Sequence, residues 1–192
     1  MNRIDVINSI KAFKPFNEQE EYDKKEILDF LEHNDDAFLR TNLRAHMTAS
    51  AWVLNHKHDK LLMAYHNLYN SWAWLGGHAD GDEDLLEVAI KEVKEESGVV
   101  NVRPVSRDIF SLEILTVDGH EKKGHYVPCH LHMNVTYLLE ADDSDPVFAK
   151  ADENSAVGWF GLEEAIHMSN EEWFKERIYR KLNSKLRVDN YI

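Results

Sequence analysis

The segment from Gly76 to Val99 constrains the fold more than any other part of this chain. Its apolar residues recur at helical spacing, which predicts a helix with one face packed against a sheet: Leu86, Ala89, Ile90 and Val93. Two glycines precede this helix, and Gly98 follows it at the usual position of a helix C-terminus. The segment therefore predicts a tight loop, a helix from Leu85 to about Ser97, and a second loop.

Three glutamates lie on the neighbouring face of this helix, at positions i, i+3 and i+4: Glu92, Glu95 and Glu96. This spacing brings their carboxylates close together, where like charges cost stability unless a cation is bound. Mg²⁺, which prefers oxygen ligands and commonly binds substrate phosphates, is the cation expected there. The helix alone also fits an ordinary solvated surface, because Glu87, Lys91 and Glu95 form an i, i+4 ladder.

The surrounding spacing decides between these interpretations, since it resembles the Nudix (MutT-like) hydrolase signature, Gly-x5-Glu-x7-Arg-Glu-U-x-Glu-Glu-x-Gly-U, where U is a bulky aliphatic residue. The residues that match in register are Gly77, Glu83, Glu92, Val93, Glu95, Glu96, Gly98 and Val99. Lys91, which stands where the family has arginine, is the one departure. The resemblance implies an α/β fold, a Nudix-type α/β/α sandwich with a mixed β-sheet.

The resemblance also implies a metal site. Glu92, Glu95 and Glu96 would bind one to three Mg²⁺ or Mn²⁺ ions, and the main-chain carbonyl of Gly76 would complete the coordination. The implied substrate is a small diphosphate, a nucleoside diphosphate linked to another group. An acidic protein can act on such an anion when metal ions neutralise charge and activate water.

Other signature positions have structural roles by the same resemblance. Gly77 would allow the tight loop before the helix, and Glu83 would brace the loop–helix–loop. Lys91 would replace the arginine that orients a catalytic glutamate, with the same charge but without the bidentate fork. Gly98 would end the helix.

The resemblance leaves the general base open, because family members often take it from a glutamate on a later loop. Glu153, shortly before Val157, is our candidate. Glu140 and the acidic loop Asp142 to Asp145 are the alternatives. A solvated loop carboxylate is an equally weighted interpretation of Glu153.

Several aromatic and histidine side chains are candidates for substrate binding: Trp72, Trp74, His78, His130 and His132. We expect one of the two tryptophans to pack in the core and the other to reach the pocket. His-x-His on a strand can bind zinc. Without an evident third and fourth ligand, a position in the substrate cleft is favoured, and His46 and His66 are expected to be ordinary structure. Cys129 is expected to be a buried, small apolar residue.

Residues 1–45 are predicted to form a helical extension, with a short helix starting at Asp35, and residues 46–192 the Nudix domain. The predicted strands are Thr48–Leu54, Leu61–Tyr65, Trp72–Leu75, Val102–Val117 (one strand or a hairpin), Tyr126–Leu139 and Val157–Phe160. The predicted closing helices are Leu162–His167 and Glu171–Leu186.

The net charge of −13 disfavours binding to a DNA or RNA backbone. No apolar run reaches membrane-spanning length, so we expect a cytoplasmic protein with no membrane partner, and many relatives of this type are homodimers. Alternative functions are a housecleaning nucleoside triphosphate pyrophosphatase, a non-catalytic metabolite sensor, and an interaction protein with an acidic helix. An isopentenyl diphosphate isomerase is disfavoured, because it needs a cysteine near Gly77 and the single Cys129 is far away in sequence.

Overall fold

A computed structural model describes residues 1–122, 124–150 and 154–192. The helices are α1 (Arg3–Ala12), α2 (Glu18–His33), α3 (Leu85–Ser97), α4 (Leu162–Met168), α5 (Glu172–Phe174) and α6 (Arg180–Val188), with a π-helical turn at Lys175–Tyr179. The strands are β1 (Ala45–Asn55), β2 (Lys60–His66), β3 (Ser71–Ala73), β4 (Leu75–His78), β5 (Val102–Pro104), β6 (Ser111–Val117), β7 (His120–Lys122), β8 (His125–Val127), β9 (His130–Ala141) and β10 (Asn154–Gly161).

Strand β1 lies at the centre of an eight-stranded mixed sheet, and all of its residues are buried. On one side it runs parallel to β9 along its full length. On the other side it pairs antiparallel with β4 and then, near its end, with β2. The outer positions are taken by β10 and β3 against β2, and by β5 and β6 against β9. The strands β7 and β8 form a separate ribbon.

Helices cover both faces of this sheet. Apolar residues of α1, α2 and α3 join one buried cluster, which includes Ile10, Ile27 and Val93. Residues of α4 and α6 join a second cluster, which includes Ile166 and Leu182. The expected α/β/α sandwich with N-terminal helices is therefore confirmed. No helix in the described ranges is long and apolar enough to cross a membrane.

Several predicted elements have different bounds. The chain after α2 forms turns, so the expected short helix at Asp35 is wrong; the amide of Leu39 bonds the carbonyl of Asp36 in an i to i+3 turn. The expected strand Trp72–Leu75 is divided between β3 and β4, because they pair with different partners, β2 and β1. Likewise Val102–Val117 is divided between β5 and β6, which both pair with β9.

The expected strand Tyr126–Leu139 also divides, at Pro128, which has no N–H to donate to a ladder. Cys129 lies in this break and is exposed, so the prediction of a buried cysteine is wrong. The expected helix Glu171–Leu186 contains the π-helical turn between α5 and α6.

Buried ion pairs attach the terminal helices to the sheet. Glu20 on α2 is fully buried, and Lys185 on α6 donates to both of its carboxylate oxygens at 3.0 Å. Ser111 on β6 donates a further bond of 2.6 Å to Glu20. Burial lowers the pKa of Lys185, an effect that the adjacent Glu20 carboxylate opposes.

A second buried carboxylate extends this network. Glu113 on β6 accepts from Lys181 at 2.9 Å and from Thr136 at 2.7 Å. Burial tends to raise the pKa of Glu113, but Lys181 and the hydroxyl donors outweigh it and lower that pKa. The charges are thus compensated where no water is available, which is the condition for burying them at acceptable cost.

We predict that Lys185→Met lowers the free energy of unfolding by about 3–5 kcal/mol, because it leaves Glu20 without its closest buried cation. Urea unfolding measures the loss. Arg180→Met is the control, since it removes the exposed partner of Glu176 and should cost no more than about 1 kcal/mol. Equal losses in both variants would contradict the importance of the buried pair.

Candidate active site

A cavity of about 660 Å³ opens where β4, α3 and the first residues of β1 and β9 meet. This volume is in the range of small-molecule binding sites. The residues predicted from the sequence that line it are Gly76, Gly77, Lys91, Glu92, Glu95, Glu96, Trp74, His78, His130 and His132. Trp72, Glu83 and Gly98 are not among its lining residues. Glu153 lies outside the described residues.

Glu96 is held by hydrogen bonds although it lines the cavity. The residue is only 6% exposed, and one carboxylate oxygen accepts from the backbone N–H of Gly76 at 3.0 Å. The other oxygen accepts from the side chain of Asn154 on β10 at 3.3 Å. Asn154 was not foreseen from the sequence, because nothing in the local pattern around it indicates a contact with α3.

The Gly76-Gly77 loop lies directly against α3 and β1. A Cβ at Gly77 would stand 2.6 Å from the carboxyl carbon of Glu92, and a Cβ at Gly76 would stand 2.5 Å from the carbonyl oxygen of Ala49. Real Cβ contacts are longer than either distance. Gly76 therefore requires glycine, because its neighbour is backbone, whereas a side chain at Gly77 would displace the flexible Glu92 carboxylate. The loop is thereby brought into contact with two of the three α3 carboxylates.

Two lysines accompany the third carboxylate. Lys91, on α3, approaches Glu95 at 3.7 Å, and Lys150, before β10, approaches its other oxygen at 3.8 Å. Lys150 also lines the cavity and was missed by the sequence analysis. The side chain of Lys91 is 66% exposed, so its interaction with Glu95 is a weak, solvated one.

The remaining signature residues hold α3 at its two ends. Gly98 has φ +75°, the left-handed conformation that ends many helices, and its amide bonds the carbonyl of Lys94. Glu83 accepts a hydrogen bond from the backbone N–H of Arg3 at 2.8 Å. This contact attaches the loop before α3 to the N-terminal helix α1.

Four histidines gather at one end of the cavity: His46, His78, His130 and His132. Strand register brings them together, because β1 places His46 opposite His132 and Thr48 opposite His78. Their candidate ligand nitrogens all lie within 4.8 Å of one another. His46, which the sequence analysis expected to be ordinary structure, is thus one of four histidines that lie together.

Burial affects the pKa of two of these imidazoles. Burial, followed by the charges of the neighbouring histidines, lowers the pKa of His132 to about 2. Burial also lowers the pKa of His46. The cluster therefore favours neutral imidazole at those two positions.

The two tryptophans have different surroundings. Trp72 packs edge-on against Tyr65 and Phe160, with ring centroids 5.6 and 4.7 Å away. Trp74 lines the cavity beside Phe174, at 6.3 Å between ring centroids. Trp74 thus reaches the cavity wall, whereas Trp72 packs against aromatic neighbours on β2 and β10.

Glu140, an alternative base, is bound elsewhere. It accepts from Arg103 (2.9 Å to Nε), His56 (2.6 Å) and His58 (2.9 Å). Burial tends to raise the pKa of Glu140, but these bonds, from His58 first, lower it to about 2. It lies eight residues along β9 from His132, roughly 26 Å at the usual rise per residue.

Two carboxylates of the acidic loop after β9 are likewise bound away from the cavity. Asp143 accepts from Lys60 at 2.8 Å, and Asp142 bonds the hydroxyl of Ser144 at 2.7 Å. A carboxyl not considered from the sequence, Glu171, lines the cavity, and burial raises its pKa.

Comparison with known proteins adds to this geometry. The NUDIX domain family model matches residues 44–182. A bis(5'-nucleosyl)-tetraphosphatase (asymmetrical) of Rattus norvegicus is 29% identical over 116 residues, 60% of this chain and 71% of the relative. A probable DHNTP pyrophosphohydrolase of Lactococcus lactis subsp. cremoris is 27% identical over 146 residues, 76% of this chain and 84% of the relative.

A solved structure is similar in fold. The binary complex of an Ap4A hydrolase from C. elegans matches 74% of this chain and 98% of its own, with a TM-score of 0.51 and 20% identity. Identity this low supports the fold alone.

We predict that Gly77→Ala weakens Mn²⁺ binding by about 10–100-fold, because the added methyl displaces the Glu92 carboxylate. Isothermal titration measures the affinity, and circular dichroism checks that the fold is retained. Gly161→Ala is the matched control, because its Cβ would meet only ordinary contacts at 3.8 Å. Unchanged affinity in Gly77→Ala would show that the position of Glu92 is unimportant for the metal.

Proposed function

The chain belongs to the NUDIX family, and we propose that it is a Mg²⁺- or Mn²⁺-dependent hydrolase that cleaves the diphosphate linkage of a small nucleoside diphosphate derivative. Its enzyme class, a hydrolase of phosphorus-containing acid anhydrides, follows from this membership and from its hydrolase relatives. The observation that supports the metal-dependent reaction is the convergence of Glu92, Glu95 and Glu96 on one cavity beside the Gly76-Gly77 loop.

The donor set fits a hard divalent cation. Three carboxylates from adjacent turns of one helix offer oxygen ligands, which Mg²⁺ and Mn²⁺ prefer. The glycine loop leaves space beside Glu92 that a side chain would fill. When bound, such ions polarise phosphoryl oxygens and lower the pKa of water.

The protein's own groups would orient this site. The Gly76 N–H and the Asn154 amide fix the carboxylate of Glu96 before any substrate arrives. Fixed ligands reduce the reorganisation that the reaction would otherwise require. Lys91 and Lys150 place positive charge beside Glu95, where a phosphate chain would carry negative charge.

Glu153 stays our proposal for the general base. The side chain of the next residue, Asn154, bonds Glu96, which supports a base at this point of the chain. The interactions that occupy Glu140 disfavour it. Glu171 is the competing candidate among the described residues, since a carboxyl with a raised pKa at a cavity wall is a recognised base type.

The aromatic residues of the cavity wall support a substrate that carries a ring. Trp74 and Phe174 offer ring faces or edges for a nucleobase or similar ring. A nucleoside triphosphate is the second candidate, favoured by the similarity to a probable DHNTP pyrophosphohydrolase. A cytoplasmic location and a homodimer remain predictions from the sequence.

We predict turnover that depends on a divalent ion and on the α3 glutamates. Product release from dinucleoside polyphosphates, nucleotide sugars, ADP-ribose, NADH and nucleoside triphosphates should require Mg²⁺ or Mn²⁺ and stop with EDTA. Glu96→Gln should reduce kcat by about 10³-fold or more, because a neutral amide loses the metal-binding charge. Glu87→Gln, on an exposed position of α3, is the matched control.

Either of two results would contradict this function. Full activity of Glu96→Gln would show that the Glu96 carboxylate does not bind the catalytic metal. If none of the substrates named above is hydrolysed while the protein still binds Mn²⁺, the result would instead support a metabolite sensor.

We predict that Glu153→Gln lowers kcat by about 10²–10⁴-fold, the usual contribution of a general base. Glu140→Gln should leave kcat unchanged, since its carboxylate binds His56, His58 and Arg103 away from the cavity. Steady-state kinetics with the panel's best substrate measure both variants, and Glu171→Gln is measured alongside. A large loss only in Glu171→Gln would transfer the role to Glu171.

A further inference from the structure

The four-histidine cluster is chemically different from the carboxylate site on α3. We propose that His46, His78, His130 and His132 form a second metal site, which binds a divalent transition-metal ion of the Zn²⁺ class. The site lies in the same cavity as the α3 glutamates but shares no ligand with them. Its existence is independent of the proposed hydrolysis.

The distances suit one ion with four nitrogen ligands. All four ligand atoms lie within 4.8 Å of one another, and the Nε2 atoms of His130 and His132 are 3.2 Å apart. Zn–N bonds of 2.0–2.1 Å in a tetrahedron place two ligand nitrogens about 3.3 Å apart. The His130–His132 separation already has this length, and small side-chain rotations would bring the remaining nitrogens to it.

Hydrogen bonds to backbone carbonyls orient two of the imidazoles. His130 Nδ1 lies 2.8 Å from the carbonyl oxygen of Pro128, and His46 Nδ1 lies 3.2 Å from that of Asn42. A carbonyl only accepts, so each Nδ1 carries the proton and each Nε2 keeps its lone pair. Histidines that bind a metal through one ring nitrogen typically donate the N–H of the other to a carbonyl or carboxylate in this way.

The Nε2 atom of His46 gives the most direct indication of a ligand. It is buried, its residue is 4% exposed, and it has no hydrogen-bond partner in the part of the chain that the structure describes. Buried nitrogens are normally paired, so an orphaned lone pair facing three other imidazoles calls for an explanation. A bound cation supplies that partner.

The donor chemistry separates the two metal sites. Neutral imidazole nitrogens suit Zn²⁺, Ni²⁺, Cu²⁺ or Co²⁺, whereas carboxylate oxygens suit Mg²⁺ and Mn²⁺. Four imidazoles satisfy a tetrahedral Zn²⁺ completely, which is the coordination of a structural site. The ion would join β1, β4 and β9, and His78 would anchor it directly beside Gly77.

The test begins with the intact chain, expressed without a histidine tag. Equilibrium dialysis and elemental analysis should find one Zn²⁺ per chain, retained in a large excess of Mg²⁺. Co²⁺ in place of Zn²⁺ should give the intense visible absorption of a four-coordinate ion. The proposal would be overturned if the unmodified protein bound no Zn²⁺. It would also be overturned if bound Co²⁺ gave only the weak absorption of a six-coordinate ion.

Asparagine substitutions then locate the site. His46→Asn and His130→Asn retain a donor for the backbone carbonyl but remove Nε2. Each should weaken Zn²⁺ binding by at least about 100-fold, because losing a metal ligand costs more than losing a group that only orients one. His120→Asn is the matched control, because the Nδ1 of His120 also contacts a carbonyl two residues earlier, at 2.9 Å. Its Zn²⁺ affinity should be unchanged.

The combined variant Glu92→Gln/Glu95→Gln should still bind one Zn²⁺ per chain, but its affinity for Mn²⁺ should fall. Loss of Zn²⁺ in this variant, or equal losses in His120→Asn and His130→Asn, would overturn the assignment to the histidines. Because every readout is metal binding, failure of this proposal is distinguishable from absence of hydrolytic activity.

Discussion

The pairing of β1 with β9 on one side and β4 on the other is the constraint on which the rest of the site depends. It places His46 beside His132, Thr48 beside His78, and Ser50 beside Gly76. Because side chains alternate along strands, a slip of one residue would turn the cavity-lining residues of β1 to the opposite face. The two faces of β1 differ, because buried apolar residues alternate with the polar residues that line the cavity, and this alternation specifies the register.

The cavity wall continues into the buried charge network. Asn134 accepts from the hydroxyls of Thr48 and Ser50 at 2.9 Å and donates to Glu113 at 3.0 Å. Glu113 in turn binds Lys181, which precedes α6's Lys185 by one helical turn. Polar groups that face the cavity are thus connected to the helices behind the sheet, so their positions are fixed by satisfied hydrogen bonds instead of apolar packing.

The sequence predicts local features well here because their determinants are local. The helix Leu85–Ser97, its glutamate face and the glycine that ends it follow from 3.6-residue spacing and one signature, and the structure has them. The histidine cluster could not be assembled in this way, because His46 and His132 are brought together by strands far apart in the chain. The hydrogen bond between Asn154 and Glu96 could not be predicted either, because these residues are also far apart in the chain. The position at which a predicted strand divides depends on how its two parts pair with neighbouring strands. The alternation of apolar and polar residues does not predict this pairing.

The central claim, a carboxylate metal site next to a separate substrate-binding wall, is tested most directly by anomalous diffraction. Crystals of the intact protein would be grown with Mn²⁺ and a non-hydrolysable dinucleoside polyphosphate, and data would be collected at the manganese absorption edge. The account predicts anomalous peaks between Glu92, Glu95, Glu96 and the phosphate chain, with a base near Trp74. Manganese found only at the histidines, or phosphates bound away from α3, would contradict it.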